Sequence, residues 1–143
     1  MIYVKDIMAR RVRTIDAGAS IRDAAKAMAK WGIGALVITR GRSKPVGIIT
    51  EGDISKSVAK GLSSGATVAS LKKKSLITVS PAEKVEVAAR IMSEAGIKKL
   101  PVMENHKLVG IVTQTDIVGS SFSLVTSLKE MVQARYRPPD FEM

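Results

Sequence analysis

The sequence contains no cysteine and only one histidine among its 143 residues. Without cysteine the chain has no disulfide framework, no thiolate nucleophile and no sulfur-ligated zinc site. His106 stands between Asn105 and Lys107 in a predicted turn, so we expect an exposed loop residue rather than a catalytic one. The sequence also has no nucleophile paired with a base, no metal-ligand cluster and no phosphate-binding glycine loop. An enzyme is therefore not expected, and neither is a metal or a cofactor.

Aromatic residues make up only 3% of the chain, too few for a surface that stacks successive bases of a single-stranded nucleic acid. The net charge of +10 nevertheless points to anionic partners. The basic residues occur in short groups at positions 10–13, 72–74 and 98–99, a pattern typical of solvated surfaces. Nucleic-acid binding is thus an alternative function, weakened by the absence of a helix-turn-helix, zinc-finger or aromatic RNA motif.

Long apolar runs are missing as well. No stretch approaches the roughly 20 residues of a membrane span, and the charged pair Lys5 and Asp6 precedes any apolar region that a secretory signal would need. We therefore expect a cytoplasmic protein with no membrane partner.

What the sequence does contain is a repeat. Residues 46–54 (VGIITEGDI) return as residues 109–117 (VGIVTQTDI), and the alanine pair and methionine of residues 24–28 return at 88–92. The offset is 64 positions upstream of residue 40 and 63 positions at Gly47 and Gly110, which indicates one deletion in a turn. Such a fixed period is typical of two copies of one supersecondary unit, neither of which could bury its apolar face alone.

Each copy shows the element order β-α-β-β-α. In the first copy, Ser20 and Asp23 form a predicted capping box that starts a helix ending near Trp31. The other predicted elements of this copy are strands at Val12–Ile15, Leu36–Thr39 and Val46–Thr50 and a helix ending near Lys60. The second copy has predicted strands at Leu76–Val79, Leu100–Met103 and Leu108–Thr113, with helices at Val85–Glu94 and from Gln114. Pro101 predicts an edge or a bulge in its strand, because proline has no amide hydrogen.

We divide the chain into a first copy (residues 1–60), a linker (61–65), a second copy (66–121) and a helical extension (122–143). In the extension, Phe122, Val125, Leu128 and Met131 follow helical spacing. This amphipathic segment packs either on its own chain or on a second copy of it, and we expect a homodimer.

The arrangement resembles the CBS domain, named for cystathionine beta-synthase. The resemblance covers residues 2–120 and rests on the repeated β-α-β-β-α order, on residues 96–102 (GIKKLPV) and on the endings with Thr50 and Asp53 and with Thr113 and Asp116. It implies an α/β (α+β) fold in which the two repeats pack about a pseudo-twofold axis. It also implies binding of adenosine nucleotides in clefts that draw on both copies.

The Thr-x-x-Asp ending fits a capping box that starts a helix. The resemblance adds a second role, since in the family this aspartate holds the ribose. It implies a first cleft of Thr50, Asp53, Leu76, Ile77, Thr78, Lys98 and Lys99, in which the lysines would bind phosphate and the segment 76–78 would flank adenine. The mirror cleft would consist of Thr113, Asp116, Val12, Arg13, Thr14, Gly34 and Ala35. Because it lacks the lysine pair, its phosphate partner would be Arg11, Arg13 or a residue elsewhere in the chain.

The resemblance therefore implies a free-standing sensor that binds AMP, ADP or ATP as a regulatory ligand and regulates an unknown target protein in trans. S-adenosylmethionine as the ligand, and a scaffold with degenerate clefts, remain the alternatives within the same fold.

Overall fold

The computed structural model of the chain describes residues 1–41, 44–71 and 75–120. The helical extension predicted at 122–143 and the lysines at 72–74 lie outside these residues. The helices are α1 (Val4–Ile7), α2 (Ile21–Trp31), α3 (Glu51–Ala59), a 3-10 helix (Val68–Leu71), α4 (Val85–Ala95) and α5 (Gln114–Ser120). The strands are β1 (Thr14–Asp16), β2 (Ala35–Arg40), β3 (Lys44–Thr50), β4 (Lys99–Glu104) and β5 (Lys107–Thr113).

The first copy forms the predicted β-α-β-β-α unit. Its sheet has the order β1-β2-β3, with β1 parallel and β3 antiparallel to β2. The capping box of α2 is confirmed, because the Asp23 amide donates to Ser20 Oγ at 3.0 Å and the Ser20 amide donates to the Asp23 carboxylate at 3.2 Å. The helix ends at Gly32, whose φ of +63° suits glycine and terminates the helical hydrogen bonding.

The second copy differs in one element. Strands β4 and β5 form an antiparallel pair, but the strand predicted at Leu76–Val79 is wrong. Only Val79 pairs there, in a single parallel bridge to Val102. Its amide donates to Pro101 O at 3.1 Å and its carbonyl accepts from the Met103 amide at 2.9 Å.

Two prolines explain the lost strand. In the first copy, the Val37 amide donates to Arg13 O at 3.1 Å and the Ala17 amide donates to Thr39 O at 2.8 Å. The equivalent positions in the second copy are Pro101 and Pro81, which have no amide hydrogen to donate. The bonds on either side of Val79 therefore cannot form, and the ladder shrinks to one bridge.

Pro101 lies in an edge strand, as the sequence predicts. It faces the segment before Val79, which does not form a strand. The bulge between Val102 and Met103 in β4 has a different origin. The same irregularity occurs between Ile38 and Thr39 in β2, where no proline is present. The bulge thus belongs to the repeat and not to the proline.

The segment that precedes the first strand of each copy, its lead-in segment, packs against the other copy. Helix α1 joins the core of the second copy, where the Val4 amide donates to Glu83 O at 2.8 Å. The 3-10 helix joins the core of the first copy, where the Val68 amide donates to Ala19 O at 2.8 Å. Val4 and Val68 are both 0% exposed. Each core is therefore completed by residues from the other half of the sequence.

Each core lies between the helices and the sheet of one copy. The buried residues are Ala17, Ala24, Met28, Leu36, Ile38, Ile49 and Val68 in the first copy and Val4, Val79, Ala88, Met92, Leu100, Val102 and Val112 in the second. Burying each valine, leucine, isoleucine or methionine side chain among them contributes about 1.5–3 kcal/mol. This packing holds the ends of β3 and β5, and the helices that follow them, in equivalent positions.

In the described part of the chain, none of the helices has both the length and the apolar character needed to cross a bilayer.

Candidate functional site

The two Thr-x-x-Asp endings lie where β3 and β5 run into α3 and α5. The Thr50 amide donates to Asp53 Oδ2 at 2.9 Å, and the Asp53 amide donates to Thr50 Oγ1 at 3.3 Å. In the second copy the same two bonds join Thr113 and Asp116 at 2.9 and 3.2 Å. The predicted capping role is therefore confirmed in both copies, and it fixes the position of each carboxylate.

Capping uses only one oxygen of each aspartate. Oδ2 of Asp53 also accepts from the Thr50 hydroxyl at 3.0 Å. Within residues 1–41, 44–71 and 75–120, neither Asp53 Oδ1 nor Asp116 Oδ1 accepts a hydrogen bond. Both side chains are half-buried. Each site thus presents a rigid carboxylate with one oxygen available to an external donor.

Each helix start is tied to the turn that precedes the neighbouring strand. The Glu51 amide donates to Gly34 O at 3.0 Å, and the Gln114 amide donates to Lys98 O at 2.8 Å. The strand register places Ala35 opposite Thr50 and Lys99 opposite Thr113. The backbones of Gly34 and Ala35 thus lie beside the first aspartate, and those of the two lysines beside the second.

The side chain of Lys99 extends from the second copy to the first. Its Nζ lies 3.0 Å from the position that a Cβ atom at Gly34 would occupy, and the Glu51 carboxylate approaches the same position, with Oε2 at 3.7 Å. The ammonium group is therefore next to the residue that follows Thr50. The side chain of Lys99 thus points toward the first copy, while its backbone pairs opposite Thr113. The grouping of Lys99 with Thr50 and Asp53 in one cleft stays a prediction. Lys98 is exposed.

The segments expected to flank adenine occupy equivalent places in the two copies. Leu76, Ile77 and Thr78 precede Val79 without regular secondary structure, and all three are half-buried or exposed. In the first copy, Thr14 pairs with Val37, and the half-buried Val12 and Arg13 precede it. Both segments lie at the sheet end where β3 or β5 meets its helix.

Arg13 has a defined partner. Its guanidinium lies 3.5 Å from the centre of the Trp31 ring, and the Lys30 ammonium lies 5.1 Å from the same ring. At 45% exposure, Trp31 leaves part of its ring open to solvent. A cation over an aromatic face is held in place by the charge distribution of the ring, so Arg13 is positioned in advance at the end of α2.

Sequence reasoning missed Trp31, Glu51 and Gln114 as site residues. Glu51 and Gln114 occupy the same position of the repeated ending, so their difference in charge was visible in the alignment of the copies. The contact of Glu51 with Gly34 was not, because it depends on how β2 and β3 pair, which places Ala35 opposite Thr50.

His106 lies in the exposed turn between β4 and β5 with φ +63°, as predicted. Among the described residues, no group of three or more His, Asp or Glu side chains is placed to hold a metal ion.

Comparison with known proteins matches both copies to one family. The CBS domain matches residues 4–60 and 68–123. The CBS domain pair of protein MJ0100, solved in complex with 5′-methylthioadenosine and S-adenosyl-L-methionine, is 34% identical with a TM-score of 0.80, over 87% of this chain and 98% of that chain.

Curated relatives agree with this match. The CBS domain-containing protein YhcV of Bacillus subtilis is 30% identical over 125 residues, which cover 86% of this chain and 88% of YhcV. A homoserine O-acetyltransferase of Methanohalobium evestigatum is 39% identical over 116 residues, but the chain spans only 23% of that protein's length. The activity of that longer protein therefore does not follow for this chain.

Proposed function

The chain belongs to the CBS domain family, and from that membership we propose that it is a regulatory module that binds adenosine compounds in two clefts between its copies. The observation that carries the proposal is the available Oδ1 of Asp53 and of Asp116, each on a carboxylate fixed by its helix cap. A carboxylate with an available oxygen accepts hydrogen bonds from the adjacent hydroxyls of a ribose. Both copies present it in the same setting.

The first cleft combines Asp53 with the lysines of the second copy. Lys99 reaches the residue beside Thr50, which supports a role in binding the 5′ substituent of the ligand. Leu76, Ile77 and Thr78 supply the partly apolar wall that suits an adenine ring.

The mirror cleft combines Asp116 and Thr113 with the wall formed by Val12 and Thr14. Gly34 and Ala35 stand where the first cleft has its lysines. Arg13, held against Trp31, is the proposed phosphate partner there. The two clefts therefore differ in charge, and we propose that the first one is preferred by phosphorylated ligands.

The output is a change in the arrangement of the copies. A ligand that binds one arrangement more tightly than another shifts the population toward it, and a target protein in trans would read that shift. The chain then acts as a sensor and not as an enzyme, with AMP, ADP or ATP as the regulatory ligand and no cofactor. The ligands named for the MJ0100 pair support S-adenosylmethionine as the alternative.

Calorimetric titration with ATP, AMP, S-adenosylmethionine and 2′-deoxy-ATP tests this proposal. Removing the 2′ hydroxyl leaves a half-buried carboxylate oxygen without its donor, at a cost of about 1–3 kcal/mol. We expect ATP to bind at least about fivefold more tightly than 2′-deoxy-ATP. Equal affinities would exclude the ribose role of Asp53 and Asp116.

Nucleic-acid binding is the second candidate, favoured by the net charge of +10 and by the exposed Trp31 ring with Arg13 beside it. Salt dependence separates the two functions. Binding to many phosphates weakens steeply between 50 and 200 mM salt, by about 10³-fold or more, whereas a mononucleotide in a partly apolar cleft responds weakly.

A homodimer is part of the proposal. Val58 on α3 and Val118 on α5 are 72% and 53% exposed, although solvent contact of apolar side chains is unfavourable. Light scattering of the full chain and of a form ending at Ser121 tests it, with a shift toward monomer expected if the tail crosses to the partner. A full chain that stays monomeric at high concentration would remove the dimer.

A further inference from the structure

We propose that Glu51 is a specificity-determining residue of the first cleft, which favours a single phosphate or a sulfonium at the ribose C5′ over a triphosphate. It does so by offsetting the charge of Lys99. This inference rests on the proposed function, because it concerns the ligand of the same cleft.

The geometry brings the two charges to one place from different copies. Lys99 Nζ and Glu51 Oε2 lie 3.0 and 3.7 Å from the Cβ position of residue 34. Within the described part of the chain, no ion pair or hydrogen bond engages the Lys99 ammonium. The carboxylate is therefore close enough to attract the ammonium group without consuming its hydrogen bonds.

Gly34 makes this approach possible. Its φ is not in the left-handed region, so its backbone does not require glycine. What glycine provides is space, because a Cβ atom 3.0 Å from Nζ would displace the lysine. The absence of a side chain at residue 34 thus allows the ammonium group to lie beside Glu51.

The mirror site has none of these features. Its residue equivalent to Glu51 is Gln114, and its residue equivalent to Lys99 is Ala35. Both members of the charge pair are therefore confined to one cleft. Both copies have the aspartates, the helix caps and the hydrogen bonds that join each helix start to the preceding turn. These shared features serve folding, whereas the charge pair occurs in one cleft only.

The consequence for a ligand follows from the charges. Lys99 attracts a phosphate attached to the ribose C5′, and Glu51 repels each further negative charge added there. A triphosphate extends more negative charge past the carboxylate than a monophosphate does. A sulfonium at the same carbon is attracted by Glu51. The pair thus favours AMP or a sulfonium compound over ATP.

Calorimetry on the full chain tests the inference with adenosine, AMP, ATP and S-adenosylmethionine. Glu51→Gln gives the first copy the side chain that the second copy already has, and both residues begin a helix in the same way. The matched control is Glu104→Gln, which removes the same charge at the opposite end of β4.

We expect Glu51→Gln to strengthen ATP binding about three- to tenfold and to weaken S-adenosylmethionine binding, while adenosine changes less than about twofold. Glu104→Gln should leave all four affinities within about twofold. Unchanged ATP and S-adenosylmethionine affinities in Glu51→Gln, or equal changes in Glu104→Gln, would overturn the inference and leave the proposed function intact. A wild-type chain that binds none of the four compounds would overturn both.

Discussion

The two copies are alike in their cores, in their helix caps at Thr50 and Thr113 and in their exchanged lead-in segments. Besides the lysine pair at 98–99, they differ at three places. The first copy has a third strand, a side-chain cap on α2 and a carboxylate at Glu51. The second copy replaces these with two prolines, an uncapped helix start at Lys84 and Gln114. The shared features are those that position the aspartates. The differing features therefore show what each copy can change without losing its site.

The largest effect on stability is expected from a substitution that disturbs the exchanged lead-in segments. At Gly110 in β5, an added Cβ would lie 2.6 Å from Met8 Sδ and 2.9 Å from Ala9 O, so it would push away the segment that crosses from the first copy. We expect Gly110→Ala to lower the free energy of unfolding by about 2–3 kcal/mol, measured by urea denaturation.

Gly119→Ala is the matched control for Gly110→Ala. Among the residues that the structure describes, no atom outside the backbone of α5 itself lies within 4 Å of the added Cβ, and alanine favours a helix over glycine by about 0.5–1 kcal/mol. The control should therefore be neutral or stabilising. If Gly110→Ala is equally harmless, the crossing segment does not pack as described.

A smaller difference in stability is expected between the N-terminal caps of α2 and α4. Ser20→Ala removes the hydroxyl that accepts from the Asp23 amide and should cost about 1 kcal/mol. In α4 the equivalent Lys84 provides no side-chain cap, so Lys84→Ala should change the unfolding free energy by less than about 0.5 kcal/mol. Equal losses from the two substitutions would contradict the difference between the copies.

The same cap predicts a pH dependence. The Ser20 amide, and after it the Ser20 hydroxyl, hold the pKa of Asp23 below its ordinary value of 3.8. A lowered pKa in the folded state means that this contribution to stability is present above that value and is lost as pH falls through the folded pKa.

In Ser20→Ala the amide donor remains, so the pKa of Asp23 should rise only part of the way toward its ordinary value. Carboxyl titration by NMR measures this. An unchanged pKa would mean that the hydroxyl plays no part.

Much of this architecture could be predicted from the repeat itself. The β-α-β-β-α order, the Ser20 cap and the capping role of Asp53 and Asp116 all follow from local patterns of one or two turns. Three features could not be predicted in this way. The exchange of α1 with the 3-10 helix, the failure of the strand before Val79 and the path of Lys99 all depend on partners far away in sequence.

The strand that is absent before Val79 shows most clearly what the sequence alone could not predict. The sequence shows that residue 101 is a proline without an amide hydrogen, but the consequence depends on which carbonyl group that amide would have bound. The acceptor would be Ile77 O, which can be identified only from the equivalent hydrogen bond between Val37 and Arg13 in the other copy. Pro81 removes a second bond, and its effect depends on the same register.

Pro101→Val should make the copies more alike, with the smallest effect on stability. The amide introduced at position 101 can donate to Ile77 O, as that of Val37 does to Arg13 O. A hydrogen bond worth about 1 kcal/mol is offset by the greater freedom of the unfolded chain, so the net change should stay below about 0.5 kcal/mol. Hydrogen exchange measures the result, and we expect protection of the amide at position 101. Rapid exchange there would contradict the explanation based on the prolines.

The central claim is that the copies share the ribose-binding aspartate and differ in how they bind phosphate. Calorimetric titration of AMP into Asp53→Ala and Asp116→Ala tests it most directly, because each variant removes one carboxylate and leaves the other cleft unchanged. Losing a charged acceptor of the ribose should cost about 1.5–3 kcal/mol at the affected cleft, which is about tenfold or more. Since we assign Lys98 and Lys99 to the first cleft, we predict the larger loss of AMP affinity in Asp53→Ala. A larger loss in Asp116→Ala would reverse the assignment, and no loss in either variant would contradict it.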